Sequence, residues 1–506
     1  MRLGTRLKQA GAVALVLVEG CTVGPNYHAP APPIVSTYTP QSLPNQTVSS
    51  PGVAGSAQTF SPSTDVPAEW WMLFHSRELD GMVRQALAAS PSLQEATARL
   101  RQAQEELKAR AGATKYPSVS GNVSAQEEQI NLAAYGIQFP NTPPFTSLTS
   151  PSPFTLLNGS IAVSYALDIF GANRRLIESL RAQRDYEAWQ TEGARLMLAG
   201  NVVSAAIRKA QLRAQIDLTR RMLDVEQQQL NIVEQRYRAG GVSEYDVRNR
   251  RMLVAQTQAA LPPLEQQMDV IDDQLALLMG KSPAEVHVAA VSLDHLHLPG
   301  ELPLSVPSAL VRQRPDIRAA EALLRQASAN VGVATADLYP QIALSGGGGA
   351  IGTSFTSGGG IWNVGGALTQ PIYNGGALRA EKRKAQAAYQ EAGSVYRQTV
   401  LEAFQQVADT LYSLQHDAQA LAARSEAATE ADGSYRIASK RYRAGGISQT
   451  ALLDAERQQL QAELDRTSAA AARYADSATL FEALGGGWWN GPQATTGGTK
   501  PKRTSP

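Results

Sequence analysis

The 506-residue chain has one cysteine, Cys21, so no intrachain disulfide is possible. Aromatic residues make up 6% of it, which suits long helices with thin packing seams better than one thick globular core. Net charge is +1, which removes the electrostatic case for a nucleic-acid partner. Beyond the first residues, no apolar run approaches the roughly 20 positions of a transmembrane helix. Any membrane crossing therefore falls to β-strands, or to a lipid alone. The six histidines are scattered and the eight methionines unclustered, which leaves no metal site and no hint of copper or silver export. His295-x-His297 is the nearest thing to a ligand pair, with no cysteine beside it. Gly280-Lys281-Ser282 ends like a phosphate loop, but Leu275 stands where its first glycine belongs. No nucleophile, base and orienting group assemble anywhere, so the chain reads as a non-enzyme without a cofactor.

What the chain does have is a phrase said twice. Gln235-Arg236-Tyr237-Arg238-Ala239-Gly240-Gly241-Val242-Ser243 returns as Lys440-Arg441-Tyr442-Arg443-Ala444-Gly445-Gly446-Ile447-Ser448, 205 positions later. Each copy ends a long helical pattern, turns at a double glycine and starts another helix. One large unit is therefore built twice, as repeat 1 over 70–300 and repeat 2 over 301–487. Ahead of them, residues 1–20 read as an export signal, with Arg2, Arg6 and Lys8 before a short apolar run. Residues 21–69 are rich in Pro, Ser and Thr and are expected as an extended strap; 488–506 are expected as a flexible tail.

Within each repeat a helix opens at a proline (Ser90-Pro91, Arg314-Pro315) and stops at a Tyr-Pro pair (Tyr116-Pro117, Tyr339-Pro340). The period then changes from helical to two. Val119, Gly121, Val123 and Ala125 share one strand face, as do Leu157, Gly159, Ile161, Val163, Tyr165 and Leu167. Ile342, Leu344, Gly346, Gly348 and Ala350 repeat the pattern, followed by Trp362, Val364, Gly366 and Leu368. The four strands, at about 118–129, 155–168, 341–352 and 361–372, each reach the length a tilted transmembrane strand needs. A soluble hairpin with one buried face is the competing reading, but open apolar edges aggregate. Four strands cannot close a barrel, whereas three chains supplying about 12 can.

After each strand pair comes a proline-free helical pattern, Ala172 to Arg238 and Ala377 to Arg443, each about 100 Å long if continuous. Ile216, Leu223, Leu230 and Tyr237 recur every seven residues, as do Leu218, Val225 and Ile232, and in the second copy Leu414, Leu421, Ala428, Tyr435 and Tyr442. Such repeats demand a partner helix packed knobs-into-holes. The return helix after each turn supplies it, through Val247, Val254 and Leu261 in one copy and Leu453, Leu460 and Leu464 in the other. The expected fold is mainly α with a membrane β part. It has duplicated antiparallel helical hairpins forming a coiled-coil α-barrel and four transmembrane strands per chain, closing as a 12-stranded β-barrel in a trimer. The tip turns fall at 239–243 and 444–448. A long narrow tube joined to a membrane barrel reads as a conduit.

Several further motifs stand out: Cys21-Thr22-Val23-Gly24-Pro25-Asn26-Tyr27, Trp70-Trp71-x-x-Phe74, Leu261-Pro262-Pro263-Leu264-Glu265, Leu277-Leu278-Met279-Gly280, Arg314-Pro315-Asp316-Ile317 and the closing Ala483 to Trp488. With the paired Tyr-x-Ala-Gly-Gly turns, they resemble the outer-membrane efflux channel family, the TolC-like outer membrane factors, in its NodT-type lipoprotein branch. The resemblance covers about residues 21 to 490. Val18-Glu19-Gly20-Cys21 is similar to a lipoprotein box, although Glu19 departs from it. That pattern implies a covalent lipid on Cys21, and the lack of an Asp at Thr22 favours passage to the outer membrane. The resemblance further implies a homotrimer in outer-membrane lipid with a periplasmic helical extension. Its partners would be a periplasmic adaptor and an inner-membrane transporter, with small molecules such as drugs passing passively. A type I protein-secretion conduit would use the same architecture. A trimeric coiled-coil surface scaffold or adhesin would use heptads and an anchor, but needs neither the two strand pairs nor the matched tips.

Three copies of Asp454, one turn inside the second tip, would form a carboxylate ring favouring cations; a solvated helix aspartate is the plain alternative. The family carries an aspartate at that place, and its second ring position is Ala451 here. Asp246 and Tyr442 match positions that latch the closed tip in some members, with Ile447 replacing the reinforcing arginine; Tyr442 also fits as an ordinary heptad residue. Gly240, Gly241, Gly445 and Gly446 are expected to allow positive φ at the tips, where the adaptor would dock.

Overall fold

The computed structural model describes residues 22–31, 34–41, 44–62, 64–129, 153–285, 291–354 and 357–491, together with Gly136, Thr142 and Ala289 singly. The expected signal, Cys21, most of the loop between the first two strands and the end of the tail lie outside them. The chain divides into two compact units. One comprises residues 1–29, 101–185 and 322–394, the other residues 30–100, 186–321 and 395–506.

The first unit holds the sheet. Strands β2 (Ser118–Glu128), β3 (Phe154–Leu167), β5 (Gln341–Gly352) and β6 (Gly359–Thr369) run antiparallel in the order β2-β3-β5-β6. Strands β1 (Thr59–Ser61) and β4 (Glu301–Pro303) form a short parallel pair in the second unit. The two hairpins of the duplication meet at β3 and β5. Register aligns the alternation across all four strands. Val119 pairs with Val163, Val163 with Gly346 and Gly346 with Val364; one row on, Gly121, Ile161, Gly348 and Trp362 align. Most of the large side chains of this face stand exposed, Val123 at 90% and Trp362 and Val364 at 81% each. The opposite face is mostly small and polar, with Phe154, Leu156, Ile351 and Ile361 as its large apolar residues. Ser118, Ser164, Ser345 and Gly365 make one of its rows, Asn122, Ser160, Gly349 and Ile361 another. Close backbone approach requires Gly349, where an added Cβ would fall 2.3 Å from the Gly159 carbonyl oxygen.

The helices are α1 (Arg77–Ala89), α2 (Pro91–Lys115), α3 (Ala172–Arg238), α4 (Glu244–Leu278), α5 (Pro307–Gln313), α6 (Pro315–Ala336), α7 (Ala377–Arg443) and α8 (Gln449–Ala483). The long outgoing helices α3 and α7 contain 67 residues each and the return helices α4 and α8 35 each, so the duplication holds in length as well as in motif. Both heptad registers of α3 are occupied, by different partners. Leu230, Val233 and Leu223 pack on Val247 and Val254 of its own return helix. Leu218, Val225 and Ile232 pack instead on Leu453, Leu460 and Leu464 of α8. The seam of α8, expected to serve its own hairpin, thus also interlocks repeat 2 with repeat 1. An α-helix with two apolar stripes takes two neighbours, and α3 carries both.

The strap is pinned. Arg473 of α8 is fully buried and donates to the Ala54 and Ser56 carbonyls, Thr47 Oγ1 and Gln58 Oε1. Gln58 in turn donates to Ser477 Oγ at 2.9 Å and the Pro299 carbonyl at 3.0 Å. Trp70 stacks on Phe481 with centroids 5.6 Å apart, joining the start of repeat 1 to the end of α8. The expected tail begins later than residue 488. Trp488–Asn490 form a turn of 3₁₀ helix, because the Trp488 indole donates to the Gln313 carbonyl at 2.7 Å and the Trp489 indole to Asp65 at 3.0 Å. Indole N–H groups near a core seek such partners.

Candidate functional site: membrane sheet, tip turns and terminal clamp

A sheet with apolar side chains on one surface and serine, asparagine and glycine on the other matches lipid on one side and water on the other. Among the described residues no helix is long and apolar enough to cross a membrane. The two faces of the sheet suit it to such a crossing.

The two tips have the same hydrogen bonding. Gly240 N–H donates to the Tyr237 carbonyl at 2.9 Å and Gly241 N–H to that of Arg236 at 2.8 Å; Gly445 to Tyr442 and Gly446 to Arg441 repeat both distances. This is a Schellman closure, whose left-handed residue is the first glycine of each pair. Gly240 has φ 77° and Gly445 φ 73°, whereas Gly241 and Gly446 lie outside the positive region. Of the four glycines that allow positive φ, the first of each pair uses it. Only the residue next after the helix cap must turn left-handed, and its successor just donates the 6→1 bond.

Beyond the first turn, Ser243 caps α4. Its Oγ accepts from Asp246 N–H, while Asp246 Oδ2 accepts from Ser243 N–H at 2.9 Å and Oγ at 2.7 Å, a complete capping box. Those bonds hold the Asp246 carboxyl below the usual carboxylate range. Within the chain, then, the Asp246 carboxylate is turned to Ser243 rather than to Tyr442, which is 38% exposed. Ser448 caps α8 alone, since Ala451 occupies the place of Asp246.

Asp454 is paired. Its Oδ1 accepts from Arg250 Nη1 at 3.2 Å and from Gln229 Nε2 at 3.1 Å, and Arg250 Nη1 also donates to Gln229 Oε1 at 2.6 Å. The three residues come from α3, α4 and α8. Gln229 is fully buried, while the Asp454 side chain keeps 41% of its surface.

The Outer membrane efflux protein family profile matches residues 82–281 and 306–486, most of the chain and both repeats. The chain belongs to the outer membrane efflux protein family. It is 32% identical over 435 residues to the pyoverdine export outer membrane protein OpmQ of Pseudomonas aeruginosa, spanning 85% of this chain and 89% of that one. The OpmQ of Pseudomonas putida is 30% identical over 448 residues, at 87% and 92% coverage. Among solved structures, the outer-membrane channel OprN superposes with a TM-score of 0.77 at 28% identity, covering 92% of this chain and all of OprN. This family member is accordingly an outer-membrane channel of the efflux class, and its single-chain fold of long helical hairpins and four strands is the one expected from its sequence.

In an outer membrane efflux protein the sheet is the bilayer part, and the segment entering it from Cys21 gains meaning. Thr22 to Tyr27 are clamped to the start of α3, just past β3. Val23 N–H donates to the Phe170 carbonyl at 3.2 Å. The buried Arg175 donates to the Val23 and Gly24 carbonyls and, at 2.8 Å, to Asn26 Oδ1. Gly24 lies on Gly332, and an added Cβ there would come within 2.5 Å of the Gly332 Cα. Cys21 itself is outside the described residues, but its neighbour Thr22 touches Gly171, between β3 and α3.

Sequence reasoning missed Arg175, Gln229 and Arg250. For Arg250 a signal existed. Shifted by the repeat offset it falls on Ala455, while Asp454 falls on Asn249, so the cation of one copy and the anion of the other have no counterparts. His297 meets His75 edge to face at 5.1 Å, and no group of three or more metal-binding side chains gathers among the described residues.

Proposed function

We propose that three copies assemble side by side into one passive conduit that carries small molecules out across the outer membrane. The observation that carries this reading is the open sheet. Among the described residues strands β2 and β6 each have a neighbour on one side only, and the surface is apolar on one face and mostly polar on the other. Unpaired strand edges are not tolerated in hydrocarbon, so such a sheet calls for closure with copies of itself. Three copies give about 12 strands, a count bacterial barrels use.

A lipid on Cys21 would enter the bilayer beside the sheet, because the Arg175 clamp holds the adjoining residues at the β3–α3 junction. Gly240, Gly241, Gly445 and Gly446 form the surface for a periplasmic adaptor, which links the channel to an inner-membrane transporter. Asp454, Asp246 and Tyr442 lie at the gate. Passage of a small molecule fits relatives named for pyoverdine export.

Reconstituting the full-length protein in planar bilayers tests the reading. Trimers by native mass and discrete conductance steps are expected; monomers that leave the bilayer sealed would refute it. Replacing all four tip glycines by valine should abolish efflux from cells while trimers persist, and retained efflux would remove the docking role.

A further inference from the structure

We propose that Arg250 sets the ion preference of the gate by neutralising Asp454 within each chain; the proposal rests on the channel reading above. A bare aspartate ring at a constriction attracts cations and is plugged by multivalent ones. Here each carboxylate comes with its own guanidinium, 3.2 Å away. Three chains therefore place three positive and three negative charges at that level, and the ring is uncharged as a whole.

The pair is built rather than incidental. Gln229 has no exposed surface, and its amide is engaged on both sides, accepting from Arg250 at 2.6 Å and donating to Asp454 at 3.1 Å. That bridging fixes the guanidinium against the carboxylate, whereas an isolated surface pair would be worth little. The Arg250 side chain keeps 25% of its surface and Asp454 41%, so the pair is partly shielded from water. The two charges stem from different copies of the duplication, where their equivalents are Asn249 and Ala455. The consequence is a gate indifferent to the sign of its cargo. An anionic molecule with no metal bound would meet no ring of repelling carboxylates.

The test is single-channel recording of the full-length protein, with hexaamminecobalt(III) as a multivalent probe added on the tip side. R250Q should raise the potassium-over-chloride permeability ratio by about threefold or more and introduce block at micromolar probe, to which the wild type is insensitive. Both effects should vanish in R250Q/D454N, and R250K should restore the wild-type ratio. Two outcomes overturn the inference: conducting R250Q channels indistinguishable from wild type, or wild-type channels already blocked by the probe at the same concentration. Failure of the wild type to conduct at all would sink the channel reading itself, which separates the two failures. If R250Q does not form trimers, the D454N single mutant decides. It leaves the guanidinium unopposed and must shift selectivity toward chloride; no shift refutes the neutralised ring.

Discussion

Arg473→Met should undock the strap without unfolding the helices. The guanidinium is fully buried and holds four strap acceptors: the Ala54 carbonyl at 2.6 Å, Thr47 Oγ1 and Gln58 Oε1 at 3.0 Å, and the Ser56 carbonyl at 3.2 Å. Hydrogen bonds to a charged group are worth about 1.5–3 kcal/mol each when net of solvation. They act as a unit, so removing the cation from a buried network costs about 3–5 kcal/mol in total. Methionine fills most of the volume and keeps the packing part of the loss small. At about 1.4 kcal/mol per factor of ten, a loss of about 4 kcal/mol lowers the docked-to-undocked ratio by roughly 10³. Amide hydrogen exchange reads this directly at Thr47, Thr59 and Phe60, whose N–H groups close the strap onto itself and onto Gly300. Their protection should fall by roughly that factor while α3 and α7 keep theirs. Lysine at 473, a point charge without the fork, should fall between the two. Loss of less than tenfold at the strap amides, or equal loss along the long helices, would refute the assignment.

Asp476 is buried beside Asp417; burial first, and then that hydrogen-bonded carboxylate, push its pKa up to about 8. Its folded form favours the proton, so its contribution to stability is full below the ordinary value of 3.8 and is lost as pH rises through about 8. Thermal melts of the wild type should therefore drop between about pH 4 and 8 and level off above that, and D476N should flatten the drop. Gly240→Ala and Gly445→Ala should each cost about 1–2 kcal/mol at the tip through left-handed strain. Gly241→Ala should cost far less, since its new Cβ would lie 3.4 Å from the Arg236 carbonyl oxygen in an ordinary conformation; urea melts of the three single variants compare them. Arg175→Ala should free the segment after Cys21, seen as faster exchange at the Val23 amide with the sheet amides unchanged.

Strand faces and helix lengths were legible because each depends on a local period. Alternation over β2, β3, β5 and β6 assigned most large apolar residues to one surface, and the register then aligned those surfaces, leaving Phe154, Leu156, Ile351 and Ile361 on the other. The 67-residue helices followed from the absence of proline between a turn and a double glycine. The second seam partner of α3 was not legible. A heptad states that a helix has a neighbour and leaves open which one, and Leu453, Leu460 and Leu464 suit α3 as well as α7. The same limit hid Trp488 and Trp489. A glycine-rich end reads as tail until the indoles meet the Gln313 carbonyl and Asp65, both distant in sequence.

The gate shows what kind of information periodicity omits. Asp454 was singled out because a carboxylate near a constriction has consequences, yet its charge state as a ring depends on a side chain 204 positions earlier. That partner lies on a helix whose spacing to α8 is fixed by the seam of α3, through Leu218 and Val225 on one side and Leu230 and Val233 on the other. The packing that no local pattern specified is therefore what brings Arg250 to Asp454. A mutation in the seam, Leu460→Ala for instance, should act at the gate without touching a charged residue. It removes a side chain 4% exposed and should cost about 2–5 kcal/mol of α3–α8 packing. Loosened, the two helices no longer hold the ion pair in register, and L460A channels should show part of the cation preference expected of R250Q. Unaltered selectivity in a folded, conducting L460A trimer would mean that Gln229 alone keeps the pair together.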